Sequence, residues 1–154
     1  MTKEILFHDY QLICQMKVGM NRKVRLLAEL FTEGENPWRV VGITTEAVKC
    51  FQANGFKKVA KMGINRSHLV NRATTYKHLL SNEFNDLEIW WEYYFQSDKT
   101  ILATSSENIT GNYSEIIDID ASLGLFKHKG FGWIHQKNEV EFLRILYSKY
   151  FPNS

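Results

Sequence analysis

The sequence predicts an α+β fold, a single globular domain over residues 1–154 with four or five helices packed on a small, mainly antiparallel sheet. Three observations favour it. Apolar residues recur at helical spacing in several segments, short β-branched runs lie between them, and the later runs follow one another closely along the chain. A chain of 154 residues is also long enough to bury a core of its own.

Apolar spacing and turn residues define the elements of the first half. Residues 4–18 fit neither a helix nor a strand cleanly. Gly34 and Gly55 lie at positions where helices commonly end with a residue in the left-handed conformation. We predict a helix over residues 21–33, a strand over 38–43, a helix from Thr44 or Thr45 to Gly55, and a strand or extended segment over 56–62.

The second half is read in the same way. Leu69, Ala73, Tyr76 and Leu80 have the spacing of a buried helical stripe. Capping-box patterns begin two later helices. We predict a helix from Asn85 through Phe95, strands over 100–104 and 113–119 with the polar loop 105–112 between them, a bent strand over 126–135, and a helix from Asn138 that stops at Pro152. The strands form an antiparallel meander in this prediction.

Charge is distributed unevenly along the chain. Residues 22–78 contain eleven Lys and Arg against four Asp and Glu, whereas residues 79–154 contain six against eleven. A polarised chain of this kind indicates a basic working surface suited to nucleic acid. The residues that we predict to bind nucleic acid are Arg22, Lys23, Arg25, Lys57, Lys58, Arg66, Arg72 and Lys77.

The stretch Gly63–Leu80 is the most informative part of this basic band. It holds Arg66, His68, Arg72, Lys77 and His78 without any acidic residue. Guanidinium and imidazole groups without a carboxylate are suited to holding an anion, phosphate above all. Because the apolar stripe takes part of the stretch into the core, the functional prediction narrows to three of its residues, Arg66, His68 and Arg72.

These residues lead to the hypothesis of a small metal-dependent endonuclease. Such an enzyme needs a base for water, cations for the scissile phosphate and a divalent ion. His68 is the predicted base, Arg66 and Arg72 the phosphate clamp, and Glu107 and Asn108 the other catalytic residues. The predicted ligands of Mg²⁺ or Mn²⁺ are Asp98, Asp118 and Asp120.

Two other classes of function stay open. One is a nucleic-acid-binding module without catalysis. The other is a protein-interaction module, of the inhibitor or immunity type, that docks through the acidic aromatic helix 86–96 with Trp90, Trp91 and Tyr94. That alternative requires an exposed patch containing Trp90 or Trp91.

The remaining features concern the compartment. Cys14 and Cys50 lack the spacing of a zinc site or redox pair and sit among apolar neighbours, which favours reduced thiols in the cytoplasm. Glu4 and Asp9 stand where a signal peptide would be apolar, and no apolar run reaches the length of a bilayer span. We therefore expect no membrane partner.

Overall fold

Seven α-helices and four β-strands make up the described part of this computed structural model, which covers residues 1–33, 39–57, 59, 61–126 and 137–153. The α+β class is confirmed, with more helices than the sequence suggested. The helices are α1 (Lys3–Gln15), α2 (Met20–Glu33), α3 (Thr45–Ala53), α4 (Arg72–Asn82), α5 (Leu87–Ser97), α6 (Ser105–Thr110) and α7 (Lys137–Tyr150). The strands are β1 (Arg39–Thr44), β2 (Ile64–His68), β3 (Lys99–Thr104) and β4 (Ile116–Asp118).

The chain groups into two compact units. Unit 1 comprises residues 1–38 and 68–99, and unit 2 comprises residues 39–67 and 100–154. The chain passes from unit 2 into unit 1 at the end of β2 and returns at the start of β3. Each unit therefore combines two separate chain segments, and no linker marks the division in the sequence.

Unit 1 is a helical unit with an aromatic core. Helix α1 packs on α2 and α5, and α4 packs on α2 and α5. Tyr10 ties this core together, because its hydroxyl donates to the Leu79 carbonyl (2.6 Å) and accepts from the Phe84 amide (2.9 Å). The buried core residues are Leu6, Tyr10, Leu27, Phe31, Tyr76, Leu79, Leu80, Trp90 and Tyr94.

Unit 2 is built on a mixed sheet with the strand order β2-β3-β1-β4. Strands β1 and β4 are antiparallel, with Ile43 opposite Ile117. Gly42 fits this pairing because a Cβ atom there would lie 2.9 Å from the Ile116 side chain. The core of the unit combines residues of the sheet with α3 and α7, which pack on each other.

The predicted meander is wrong because β1 lies between β3 and β4. The Thr100 hydroxyl donates to the Arg39 carbonyl at one end of β1 and β3, and Thr44 and Thr104 both donate to Glu107 at the other. Those two strands therefore run parallel. Hydrophobic alternation shows which face of a strand is buried but does not select its neighbour.

Other elements differ from the sequence predictions for local reasons. The predicted loop 105–112 contains α6, because Thr104 and Glu107 form a capping box. The described residues within 56–62 form turns, with positive φ at Phe56 and Lys61. Leu69 and Ala73 are exposed, and the buried residues of α4 are Thr75, Tyr76, Leu79 and Leu80. The predicted strand 126–135 lies outside the described residues apart from Phe126.

Candidate functional site

The end of β2 and the end of α5 bring a histidine and an aspartate together in unit 1. His68 is the last residue of β2, and Asp98 is the C-cap of α5. His68 Nε2 lies 3.6 Å from Asp98 Oδ1, and the two side chains are 14% and 8% exposed. The Tyr94 hydroxyl donates to the other oxygen of Asp98, Oδ2, at 3.1 Å. The carboxylate therefore accepts a hydrogen bond from the phenol and lies close to the imidazole.

Arg72 and Tyr76 of α4 extend this group. Burial raises the pKa of Tyr76, while the charge of Arg72 and its hydrogen bond act in the opposite direction. Burial also raises the pKa of Tyr94 far above its ordinary value, and the negative charge of Asp98 adds to the effect. We refer to His68, Arg72, Tyr76, Tyr94 and Asp98 as the His68 cluster.

The His68 cluster has the chemistry of an anion site with a base beside it. The imidazole of His68 lies beside the Asp98 carboxylate, and a histidine in such a position is a common general base. Arg72 occupies the first turn of α4, where Asn71 caps the helix and no acidic residue is present. The helix dipole and the guanidinium therefore both favour an anion at this end of α4.

Arg66, the other member of the predicted phosphate clamp, belongs to unit 2. Its guanidinium donates to the carbonyl of Phe126, whose amide donates to Glu139 Oε1 at 2.7 Å. Burial lowers the pKa of Arg66 to about 10, although the charge of Glu139 opposes this shift. The backbone of Phe126, which has a φ of 58°, is thus held on both sides. These contacts indicate a structural role for Arg66 within unit 2.

Glu107, predicted to be catalytic, is the N3 residue of the α6 capping box in unit 2. Its Oε2 accepts from the Thr44 hydroxyl at 2.8 Å and from both the amide and the hydroxyl of Thr104. Its Oε1 accepts from the amide and hydroxyl of Ser114 at 2.9 and 2.6 Å. Burial opposes ionisation, but these hydrogen bonds lower the pKa of Glu107 to about 2. A carboxylate so stabilised is a weak base. Asn108, its predicted companion, is exposed.

The three predicted metal ligands do not belong to one unit. Asp98 is part of the His68 cluster in unit 1, whereas Asp118 and Asp120 are exposed residues of unit 2. Asp120 accepts from the Ser122 amide at 2.9 Å and caps a 3₁₀ turn. Among the described residues, no three His, Cys, Asp or Glu side chains are grouped so that they would hold a metal ion.

The basic band divides between the two units. In unit 1, Arg22, Arg25 and Lys77 are exposed, and within the described part of the chain no carboxylate lies within ion-pair distance of them. Lys23 is half-buried and donates to the Cys14 carbonyl at 2.5 Å. In unit 2, Lys57 is exposed, and Lys58 lies outside the described residues.

Helix α5 lacks the exposed aromatic patch that a docking role requires. Trp90 is 0% exposed and Tyr94 is 2% exposed, while Trp91 is half-buried. The aromatic side chains of this helix serve the core of unit 1. A protein-interaction module that docks through helix 86–96 stays a prediction, and of the three aromatic residues named for it only Trp91 reaches the surface.

Sequence reasoning missed the two tyrosines of the His68 cluster. The sequence pattern places Tyr94 on an aromatic surface, whereas its hydroxyl donates to Asp98, four residues later on the same side of α5. That i, i+4 pairing was visible in the sequence. The contact of Asp98 with His68, thirty positions away, was not.

No family model, curated protein or solved structure matches this chain. Among the described residues, no helix combines the length and the apolar character that crossing a bilayer requires.

Proposed function

We propose that this protein binds nucleic acid through the phosphate backbone and that the His68 cluster is the point of contact. The observation that carries this proposal is the grouping of His68 and Arg72 at the start of α4. Three groups that attract a phosphate occur there: a guanidinium, an imidazole and the N-terminus of a helix without an acidic residue in its first turn.

We propose that exposed cations of α2 and α4 also contribute to the contact. Arg22, Arg25 and Lys77 are exposed in the same unit, whereas several other surface cations are paired with carboxylates, as Lys3 is with Glu88 and Arg144 with Glu141. A cation that is not already paired gives its full charge to a phosphate and displaces a counterion when it does so. Affinity for nucleic acid is therefore expected to fall steeply as salt is added.

Arg72 is expected to contribute one of these phosphate contacts. Replacing it by glutamine should weaken the binding of a labelled duplex about tenfold, which corresponds to roughly 1.4 kcal/mol. It should also reduce the slope of log affinity against log salt by about 1. Fluorescence anisotropy over a salt series measures both quantities.

Two variants control this measurement. Arg72→Lys keeps the charge and should keep the salt slope. Arg144→Gln removes an exposed cation of unit 2 that is already paired with Glu141, and should leave affinity unchanged. Wild-type binding that does not respond to salt, or an Arg72→Gln variant with wild-type affinity, would contradict the proposal.

A second candidate function, phosphodiester hydrolysis, is favoured by the contact between His68 and Asp98. In this reaction the imidazole takes a proton from a water molecule, whose oxygen forms a bond to phosphorus. The ester P–O bond breaks, and the leaving oxygen takes up a proton. The His68 side chain keeps 14% of its surface in contact with solvent, and its Nε2 lies 3.6 Å from Asp98 Oδ1. This candidate applies to the same bound phosphate.

His68→Ala is the variant that tests hydrolysis. With Mg²⁺ or Mn²⁺ present, cleavage of a labelled DNA or RNA should fall about 100-fold or more, the range lost when a general base is removed. Binding measured by anisotropy should weaken far less than cleavage does, because Arg72 and the N-terminus of α4 still hold the phosphate. His78→Ala is the matched control, because His78 is exposed and stacks on Tyr93 outside the cluster. Absence of cleavage by the wild-type protein would rule out hydrolysis and leave the binding proposal standing.

A further inference from the structure

The connection between β2 and α4 is a short apolar tip beside the His68 cluster. Leu69 is 50% exposed and Val70 is 41% exposed. They follow His68 directly, and Asn71 and Arg72 follow them. Two adjacent aliphatic side chains thus stand in solvent where the phosphate is proposed to bind.

Both ends of the tip are held by hydrogen bonds. The Leu69 amide donates to the Lys99 carbonyl at 3.0 Å. The Asn71 side chain accepts from the Ala73 amide at 2.8 Å and fixes the start of α4. Because its backbone is held in this way, the tip can present Leu69 and Val70 with little further loss of conformational entropy.

The charges around the tip are complementary to nucleic acid. Arg72 and Lys99 are both half-buried. Arg72 follows the tip in the chain, and the backbone carbonyl of Lys99 accepts from the Leu69 amide. The neighbouring carboxylate, Asp98, is buried and accepts from Tyr94. Of the charged residues that follow the tip or pair with its backbone, Arg72 and Lys99 both reach solvent and both are positive.

We infer that Leu69 and Val70 form a wedge that enters a base step of double-stranded nucleic acid while the neighbouring cations hold its phosphates. This inference rests on the proposed function and names its substrate class. Proteins that kink a duplex commonly insert aliphatic residues between base pairs, whereas proteins that hold single strands stack bases on exposed aromatic rings. No Phe, Tyr or Trp among the described residues of unit 1 is exposed.

The experiment uses a short DNA duplex that carries 2-aminopurine at a central TA step, the kind of step that unstacks most readily. Unstacking raises the fluorescence of 2-aminopurine, so the wild-type protein should increase the signal on binding. The double variant Leu69→Ala/Val70→Ala should lose this increase and bind about tenfold more weakly, equivalent to roughly 1.4 kcal/mol. Ile89→Ala, which trims an aliphatic residue of α5 that is 61% exposed, should behave as the wild type.

The outcomes separate the wedge from the function on which it rests. If anisotropy detects no wild-type binding to any nucleic acid, the proposed function fails. If binding occurs with no fluorescence increase, or if the double variant still produces the increase, the wedge alone is overturned. Preference for a single-stranded probe also overturns it. Salt-dependent binding to phosphatidylserine vesicles that the double variant loses would assign the tip to a lipid surface instead.

Discussion

Replacing Glu107 by glutamine is expected to lower the free energy of unfolding by about 3 kcal/mol, because a buried acceptor of charge-assisted hydrogen bonds is lost. The two carboxylate oxygens accept from Thr44, Thr104 and Ser114. A glutamine side chain keeps one carbonyl oxygen, but its amide group cannot accept at the other position. At least two donors would lose their partner, and each buried unpaired donor costs about 1–3 kcal/mol.

Chemical denaturation at neutral pH measures this loss, and thermal unfolding should show a midpoint roughly 6–12 °C lower for a chain of this size. Glu115→Gln is the matched control, because that side chain is exposed and should change stability by less than about 0.5 kcal/mol. Equal stability of the wild type and Glu107→Gln would show that the five donor groups of Thr44, Thr104 and Ser114 do not depend on the carboxylate.

The same variant has a characteristic pH dependence. The pKa of Glu107 is about 2 in the folded protein, below its ordinary value of 4.5. Its ionised form therefore stabilises the fold fully above about pH 4.5, and this contribution is lost as the pH falls towards 2. The difference in stability between the wild type and Glu107→Gln should shrink over that interval, and a difference that stays constant would contradict it.

Trp90→Ala is expected to destabilise the protein by about 3–5 kcal/mol, the usual cost of removing a large buried aromatic side chain. Trp90 is 0% exposed. Its ring lies 5.1, 5.3 and 5.8 Å from the rings of Phe7, Tyr10 and Phe31, measured between centroids. The variant would leave a cavity among side chains from α1, α2 and α5, which cannot all move to fill it.

Trp90→Phe should cost about 1–2 kcal/mol, clearly less than the alanine variant. Phenylalanine retains much of the packing and also removes the indole Nε1, which is buried and has no hydrogen-bond partner among the described residues. Urea denaturation of both variants gives the comparison, with Ile89→Ala as the exposed control from the same helix. If Trp90→Ala were as stable as the wild type, α5 would not pack as described.

The sequence predicts two residues of the His68 cluster, the base His68 and the cation Arg72. It does not predict the complete set of residues that the fold brings together there. Residues Gly63–Leu80 stood out by composition, and His68 and Arg72 do lie in one cluster with Asp98. Arg66, only two residues before His68, belongs to unit 2 and donates to the Phe126 carbonyl. The sequence pattern identifies which side chains are suited to an anion. It does not show which of them will form hydrogen bonds with a distant segment of the chain.

Glu107 illustrates the same limit. The sequence placed it in a polar loop and suggested a catalytic carboxylate. Its local partner, Thr104, is three residues away and forms a capping box that the sequence already contained. Its other donors are Thr44, sixty-three positions earlier, and Ser114. Because three hydroxyl groups from separate segments donate to its carboxylate, Glu107 caps α6 and is not available as a base.

By itself, the sequence determined the α+β class and the positions of α2, α3, α5, β1 and β3, because periodicity, caps and turn residues act over a few positions. The tertiary structure alone decided the strand order, the division into two units, the burial of Trp90 and the meeting of His68 with Asp98. These features depend on which segments, distant in the sequence, pack against each other and bury their apolar surfaces. That choice is made by the packing of the whole chain, and local spacing does not encode it in a readable form.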